Sequence, residues 1–112
     1  MVRNASAVSV QAGVVRVAVV GTGSAGLAHL RALRQLAGVE PIAVPRRPGR
    51  AEELAATGML ALRDLREAVA AGSTVAVIAT DTGRHVADSL AALEQGLDVL
   101  VEKPLAMTAA EG

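Results

Sequence analysis

The sequence predicts an α/β fold with a doubly wound parallel sheet, and three observations point to it. Short apolar runs at residues 14–20, 42–44, 75–79 and 99–101, with a weaker one at 59–61, alternate with segments of helical spacing, the pattern of successive βαβ units. The runs are apolar nearly throughout, as in Val75-Ala76-Val77-Ile78-Ala79, which suits strands covered by helices on both faces. The helical segments close on Gly38, Gly58, Gly72 and Gly96, the residue type that most readily takes the left-handed conformation past a helix end. Right-handed crossovers then give a strand order of 3-2-1-4-5.

Along the chain, residues 1–13 mix Arg3, Asn4, Ser6, Ser9 and Gln11 with short apolar residues and lack the continuous apolar centre of a signal peptide. They read as a flexible tail ahead of one domain at 14–112. The first helix is expected over 24–37, with Gly26, Leu30, Leu33 and Ala37 turned inward and Arg31 and Arg34 in water. A short helix over 50–57 follows the second strand, and a third carries Leu62, Leu65 and Val69. The fourth, over 84–95, sets Val86, Leu90 and Leu93 at i, i+4 and i+7, the spacing of a core-facing stripe. Thr108-Ala109-Ala110-Glu111 has the form of a capping box. A single turn of helix gains little without further turns or packing, so the polypeptide is expected to continue past Gly112. A chance match in a loose tail would look the same.

Between the first strand and the first helix lies Gly21-Thr22-Gly23-Ser24-Ala25-Gly26. In a strand-turn-helix setting, the three glycines have separate uses: a tight turn, close backbone approach to a pyrophosphate, and close packing of helix on strand. The helix start adds unpaired N–H groups and a partial positive charge, so phosphates can be held without a basic side chain. The motif marks a dinucleotide site or, with no ligand, an ordinary tight turn.

Composition narrows the partners. The chain has no Phe, Tyr or Trp, so it offers no aromatic platform for stacking single-stranded nucleic acid. Eleven basic and eleven acidic residues give a formal net charge of zero, which favours neither a nucleic-acid backbone nor an anionic membrane. No run reaches the roughly 18 apolar residues of a bilayer span. With no cysteine and only His29 and His85, no thiolate or histidine metal cluster is expected. A small-molecule ligand and a cytoplasmic location are the expectation.

At the far edge of the sheet, Glu102-Lys103-Pro104 follows the last strand, where open α/β folds bind ligands. An ammonium there is either a solvated loop charge or a hydrogen-bond donor to a substrate oxygen, with its pKa lowered by desolvation and a cationic ring. The segment Thr80-Asp81-Thr82-Gly83-Arg84-His85 has two readings as well. Thr80, Thr82 and His85 reach the cofactor, or Asp81 or Thr82 caps the fourth helix and His85 packs in its first turn.

Together these residues resemble the Gfo/Idh/MocA (glucose-fructose oxidoreductase, inositol dehydrogenase, MocA) family. The resemblance covers nearly the whole chain after Gly13 and rests on Gly21-Thr22-Gly23-Ser24-Ala25-Gly26-Leu27-Ala28-His29, Ala92-Leu93-Glu94-Gln95-Gly96 and Val99-Leu100-Val101-Glu102-Lys103-Pro104-Leu105-Ala106. It implies a Rossmann domain binding NAD or NADP, with Lys103 as the catalytic residue beside nicotinamide and substrate and Glu102 orienting the strand end. It further implies hydride transfer to or from a hydroxyl or ketone of a sugar, cyclitol or nucleotide-linked sugar. Asp81 stands where proline is common in the family. The family's C-terminal α/β substrate domain has no counterpart in these 112 residues, so the chain alone is expected to be inactive.

Cofactor choice turns on the end of the second strand, where an NAD site usually places Asp or Glu against the ribose 2′-hydroxyl. Here the residues are Val44-Pro45-Arg46-Arg47, with no carboxylate before Glu52. Guanidiniums pair well with a 2′-phosphate, so NADP is preferred over NAD, unless the run is only a solvated basic turn. The competing expectation for the whole chain is a non-catalytic nucleotide-binding module that docks a partner chain or a second copy, because its last strand leaves an open edge and apolar helix faces.

Overall fold

In a computed structural model that describes residues 13–101, four parallel strands form one sheet in the order β2-β1-β3-β4. They are β1 (Val15–Val20), β2 (Val39–Val44), β3 (Ser73–Ile78) and β4 (Asp98–Val101). The helices are α1 (Ser24–Arg34), α2 (Arg50–Ala55), α3 (Leu65–Ala70) and α4 (His85–Glu94), the last entered through a 3-10 turn, Thr82–Arg84. The weak fifth run survives as a bridge, Ala43 to Ala61, made by Ala43 N donating to Leu60 O at 2.8 Å and Leu62 N to Ala43 O at 2.9 Å. With this segment outside β2, the order is the doubly wound one read from the sequence.

Alternation along each strand separates two cores. Ala18, Val20, Ile42, Val44, Ala76 and Ile78 meet Ala68 of α3 and Ala92 of α4 on one face. Val17, Val19, Ala43 and Val77 meet Leu30 of α1 and Leu54 of α2 on the other. Alanines at Ala18, Ala43 and Ala76 are fully buried, and their small size lets helices come close in a core without rings. Leu30, Ile42 and Ile78 are the largest fully buried aliphatic side chains, each contributing roughly 1.5–3 kcal/mol through burial.

The helices depart from expectation at three places. α1 ends at Arg34, and the chain turns through Gln35 to Gly38, which leaves Ala37 exposed instead of on the inner face. Leu62 precedes α3 in the bridged segment, although it still packs on the core. On α4, Leu90 and Leu93 are 53% and 40% exposed and Val86 only half-buried, while His85, Asp88 and Ala92 face inward. The expected stripe is therefore not the packing face. Two of the three inward residues are polar, and both are bound to Thr80 in the loop after β3.

A side-chain cap at α3 shows the local chemistry at work. Asp64 Oδ1 accepts from Glu67 N at 2.9 Å, and Glu67 Oε1 accepts from Arg63 N at 2.8 Å, so orphan amides at the helix start are satisfied. Hydrogen bonds from Arg63 hold the Glu67 carboxyl below its ordinary pKa.

Candidate dinucleotide site

All four strands are parallel, so their C-terminal ends share one edge, and those predicted residues that fall among the described ones gather there. Gly21 leaves β1 with φ of +94°, its N–H donating to Val44 O at 2.9 Å. A Cβ there would meet the Ala79 carbonyl oxygen at 2.8 Å, so the tight turn and the neighbouring strand together require glycine. Gly26 is buried in the first turn of α1, and a Cβ on it would collide with the Gly21 carbonyl oxygen.

Gly23 is different. It is exposed, at the N-cap of α1, and nothing lies within 4 Å of where its Cβ would project. Leu27 N bonds Gly23 O at 2.9 Å, so the preceding amides are those a helix start leaves without intrahelical acceptors. The first turn of α1 carries no acidic residue, and Gly23, Ser24 and Ala25 are exposed. This is the electrostatic setting of an anion site.

A cavity of about 510 Å³ opens over this turn. Gly21, Thr22, Gly23 and Ser24 form one wall, Arg46 and Arg47 after β2 with Arg50 at the start of α2 another, and Thr80, Asp81 and Arg84 beyond β3 the third. A second cavity of about 310 Å³ continues between Ala25 and the loop carrying Thr82 and His85. Arg50, Arg84 and Leu27 join the lining although the sequence alone did not single them out as site residues. Glu102 and Lys103, like Thr108 and Glu111, lie outside the described residues. The backbone register pairs Ile78 with Val101, so β4 ends beside the strand that leads to Thr80.

The polar contacts fix the third wall. His85 is 2% exposed, and its Nε2 lies 2.6 Å from the Thr80 carbonyl oxygen. A carbonyl only accepts, so Nε2 carries the proton in this contact. Thr80 Oγ1 donates to Asp88 Oδ2 at 2.7 Å. Asp81 precedes the 3-10 turn but makes no side-chain cap there, and no side chain caps α4. Arg46 Nη1 lies 3.4 Å from Asp88 Oδ1, and Arg47 Nη2 is 3.2 Å from Glu53 Oε1. Asp88 is a further residue that the sequence alone did not single out. Its spacing from Arg84 (i, i+4) and from His85 and Ala92 (i, i+3 and i, i+4) was the available signal.

Among the described residues no cluster of His, Asp or Glu is placed to hold a metal, and no helix is long and apolar enough to cross a membrane.

Comparison with known proteins agrees with this fold. The family model described as "Oxidoreductase family, NAD-binding Rossmann fold" (GFO_IDH_MocA) matches residues 15–112. An inositol 2-dehydrogenase/D-chiro-inositol 3-dehydrogenase of Halalkalibacterium halodurans is 39% identical over 100 residues, covering 84% of this chain and 29% of that protein. The chain thus spans under a third of its relative's length. GenD2 from gentamicin A biosynthesis, solved in complex with NAD, superposes with a TM-score of 0.76 at 31% identity over 88% of this chain and 29% of its own. Biliverdin reductase from Synechocystis sp. PCC 6803, solved with biliverdin and NADP+, gives a TM-score of 0.72 at 28% identity over 87% of this chain and 32% of its own.

Proposed function

Since the chain belongs to the Gfo/Idh/MocA family of NAD-binding oxidoreductases, we propose that it is the cofactor-holding lobe of an enzyme that uses NADP(H) in preference to NAD(H). The observation that carries this reading is the single cavity of about 510 Å³ shared by the Gly21–Gly23 turn and by Arg46 and Arg47. Amides at the start of α1 would hold the pyrophosphate. Arg46 and Arg47 would pair with a 2′-phosphate, at the place where an NAD site usually carries a carboxylate. Relatives have been solved with either cofactor, so the choice rests on this chain's own residues.

When bound, the nicotinamide supplies or accepts a hydride. Thr80 and Thr82 would flank the ribose, with the loop held by the His85 contact to the Thr80 carbonyl. Lys103, two residues beyond Val101 in sequence, would donate to the substrate oxygen and move its proton, with Glu102 orienting the strand end. The proposed substrate is a hydroxyl or ketone of a sugar, cyclitol or nucleotide-linked sugar. The resemblance to an inositol dehydrogenase supports that class.

Calorimetric titration with NADPH and NADH, on wild type and Arg46→Ala, tests the assignment. NADPH should bind more tightly to wild type, and the variant should lose roughly tenfold or more for NADPH alone, the scale of one charged hydrogen-bonding group. Equal affinities, unchanged by the substitution, would remove the preference for NADP.

A further inference from the structure

Asp88 lies on the inward face of α4, its carboxyl group in a place where water barely reaches it, the side chain being 7% exposed. A buried carboxylate is tolerated only when paired and hydrogen-bonded. Its partners come from two separate connections: Thr80 Oγ1 at 2.7 Å and Arg84 Nε at 3.7 Å between β3 and α4, and Arg46 Nη1 at 3.4 Å after β2. All three partners line the cofactor cavity, whereas Asp88 lies behind them, lining the neighbouring space that also touches Pro45 and Arg46.

We propose that Asp88 is a positioning residue for cofactor discrimination, holding the Arg46 guanidinium at the cavity wall so that it meets the 2′-phosphate already ordered. The inference rests on the NADP(H) reading of the cavity. A guanidinium has five N–H donors in a fixed fork, so contact with Asp88 through Nη1 leaves donors for a phosphate. Ordering the side chain in advance removes part of the cost that binding otherwise carries. Asp88 does not cancel the attraction, because Arg46, Arg47, Arg50 and Arg84 line the cavity against one lining carboxylate, Asp81. Arg47 has no equivalent anchor: its partner Glu53 is exposed, and such pairs hold weakly.

The test is calorimetry on the intact protein with adenosine 2′,5′-bisphosphate and adenosine 5′-monophosphate, which differ only in the 2′-phosphate. Wild type should favour the bisphosphate. Asp88→Asn keeps the shape and the acceptor for Thr80; it should weaken the bisphosphate about tenfold and leave the monophosphate unchanged. In an Arg46→Ala background Asp88→Asn should change neither affinity, since the effect runs through Arg46. Asp88→Ser, which lacks the carboxylate but keeps an oxygen that can accept from Thr80, should give the same selective loss and serves if the amide fails to fold. A wild type that binds neither probe, or both equally, overturns the NADP reading and this inference with it. If wild type discriminates but Asp88→Asn weakens both probes alike, strengthens the bisphosphate, or acts equally without Arg46, the inference alone is overturned.

Discussion

A Cβ added at Gly26 would run into the carbonyl oxygen of Gly21, backbone against backbone, with no flexible side chain to yield. Gly26→Ala should therefore cost roughly 3 kcal/mol or more, within the range of severe core and backbone lesions, seen as a large drop in the urea midpoint. Gly23→Ala should act on binding instead. Its backbone, at φ of −75°, suits alanine, and its Cβ would enter open space, so stability should change by less than about 1 kcal/mol. On the proposed reading the same methyl would stand in the path of the phosphates, and NADPH affinity should fall at least about tenfold. A Gly23→Ala protein that melted normally and kept full affinity would show that the phosphates do not approach there. The turn at Gly21 and the close approach at Gly26 were legible in the sequence because glycine spacing reports backbone constraints directly. Asp88 was not legible, since a lone acidic residue on a helix looks like a solvated one until its distant partners are known.

The outward leucines of α4 show where hydrophobic spacing misleads. Val86, Leu90 and Leu93 have the better helical period, yet Ala92 is the fully buried apolar residue, in a cluster with Ala76, Ile78 and Leu97. The rule of apolar residues inward is overridden because the inward face must carry His85 and Asp88 to the Thr80 loop, and because a small residue suits close approach to the sheet. Leu90→Ser and Leu93→Ser should each shift stability within about 0.5 kcal/mol, as for surface positions. Ala92→Leu, with more apolar surface, should destabilise by about 1–3 kcal/mol through overpacking. Thermal or urea melts of the three variants check the ordering; a stable Ala92→Leu with unfolded Leu90→Ser would reverse the assigned faces. The remaining helices were read correctly in existence, but their ends were placed too late wherever a turn of several residues precedes the closing glycine, as between Arg34 and Gly38.

Across the whole molecule, a sequence with formal net charge of zero brings four guanidiniums to the lining of one cavity once folded. The doubly wound topology was legible because each strand is apolar and each crossover has one permitted hand, and the family resemblance pointed to the same sheet edge. The meeting of Arg46, Arg47, Arg50 and Arg84 around one cavity was only half legible: the first two share a strand end, but Arg84 arrives from beyond β3 through tertiary contact. Asp81, Asp88 and Glu53 offset part of the guanidinium charge; the excess adds to the partial positive charge of the α1 start, and such a field is screened over about 10 Å at 0.1 M salt. NADPH carries a further phosphate into that field, so raising salt from 0.05 to 0.5 M, on the order of a threefold shorter screening length, should weaken NADPH binding more steeply than NADH binding. Calorimetry at several salt concentrations gives both slopes, and Arg46→Ala should bring them together. Parallel slopes in wild type would mean that the four guanidiniums do not meet the additional phosphate.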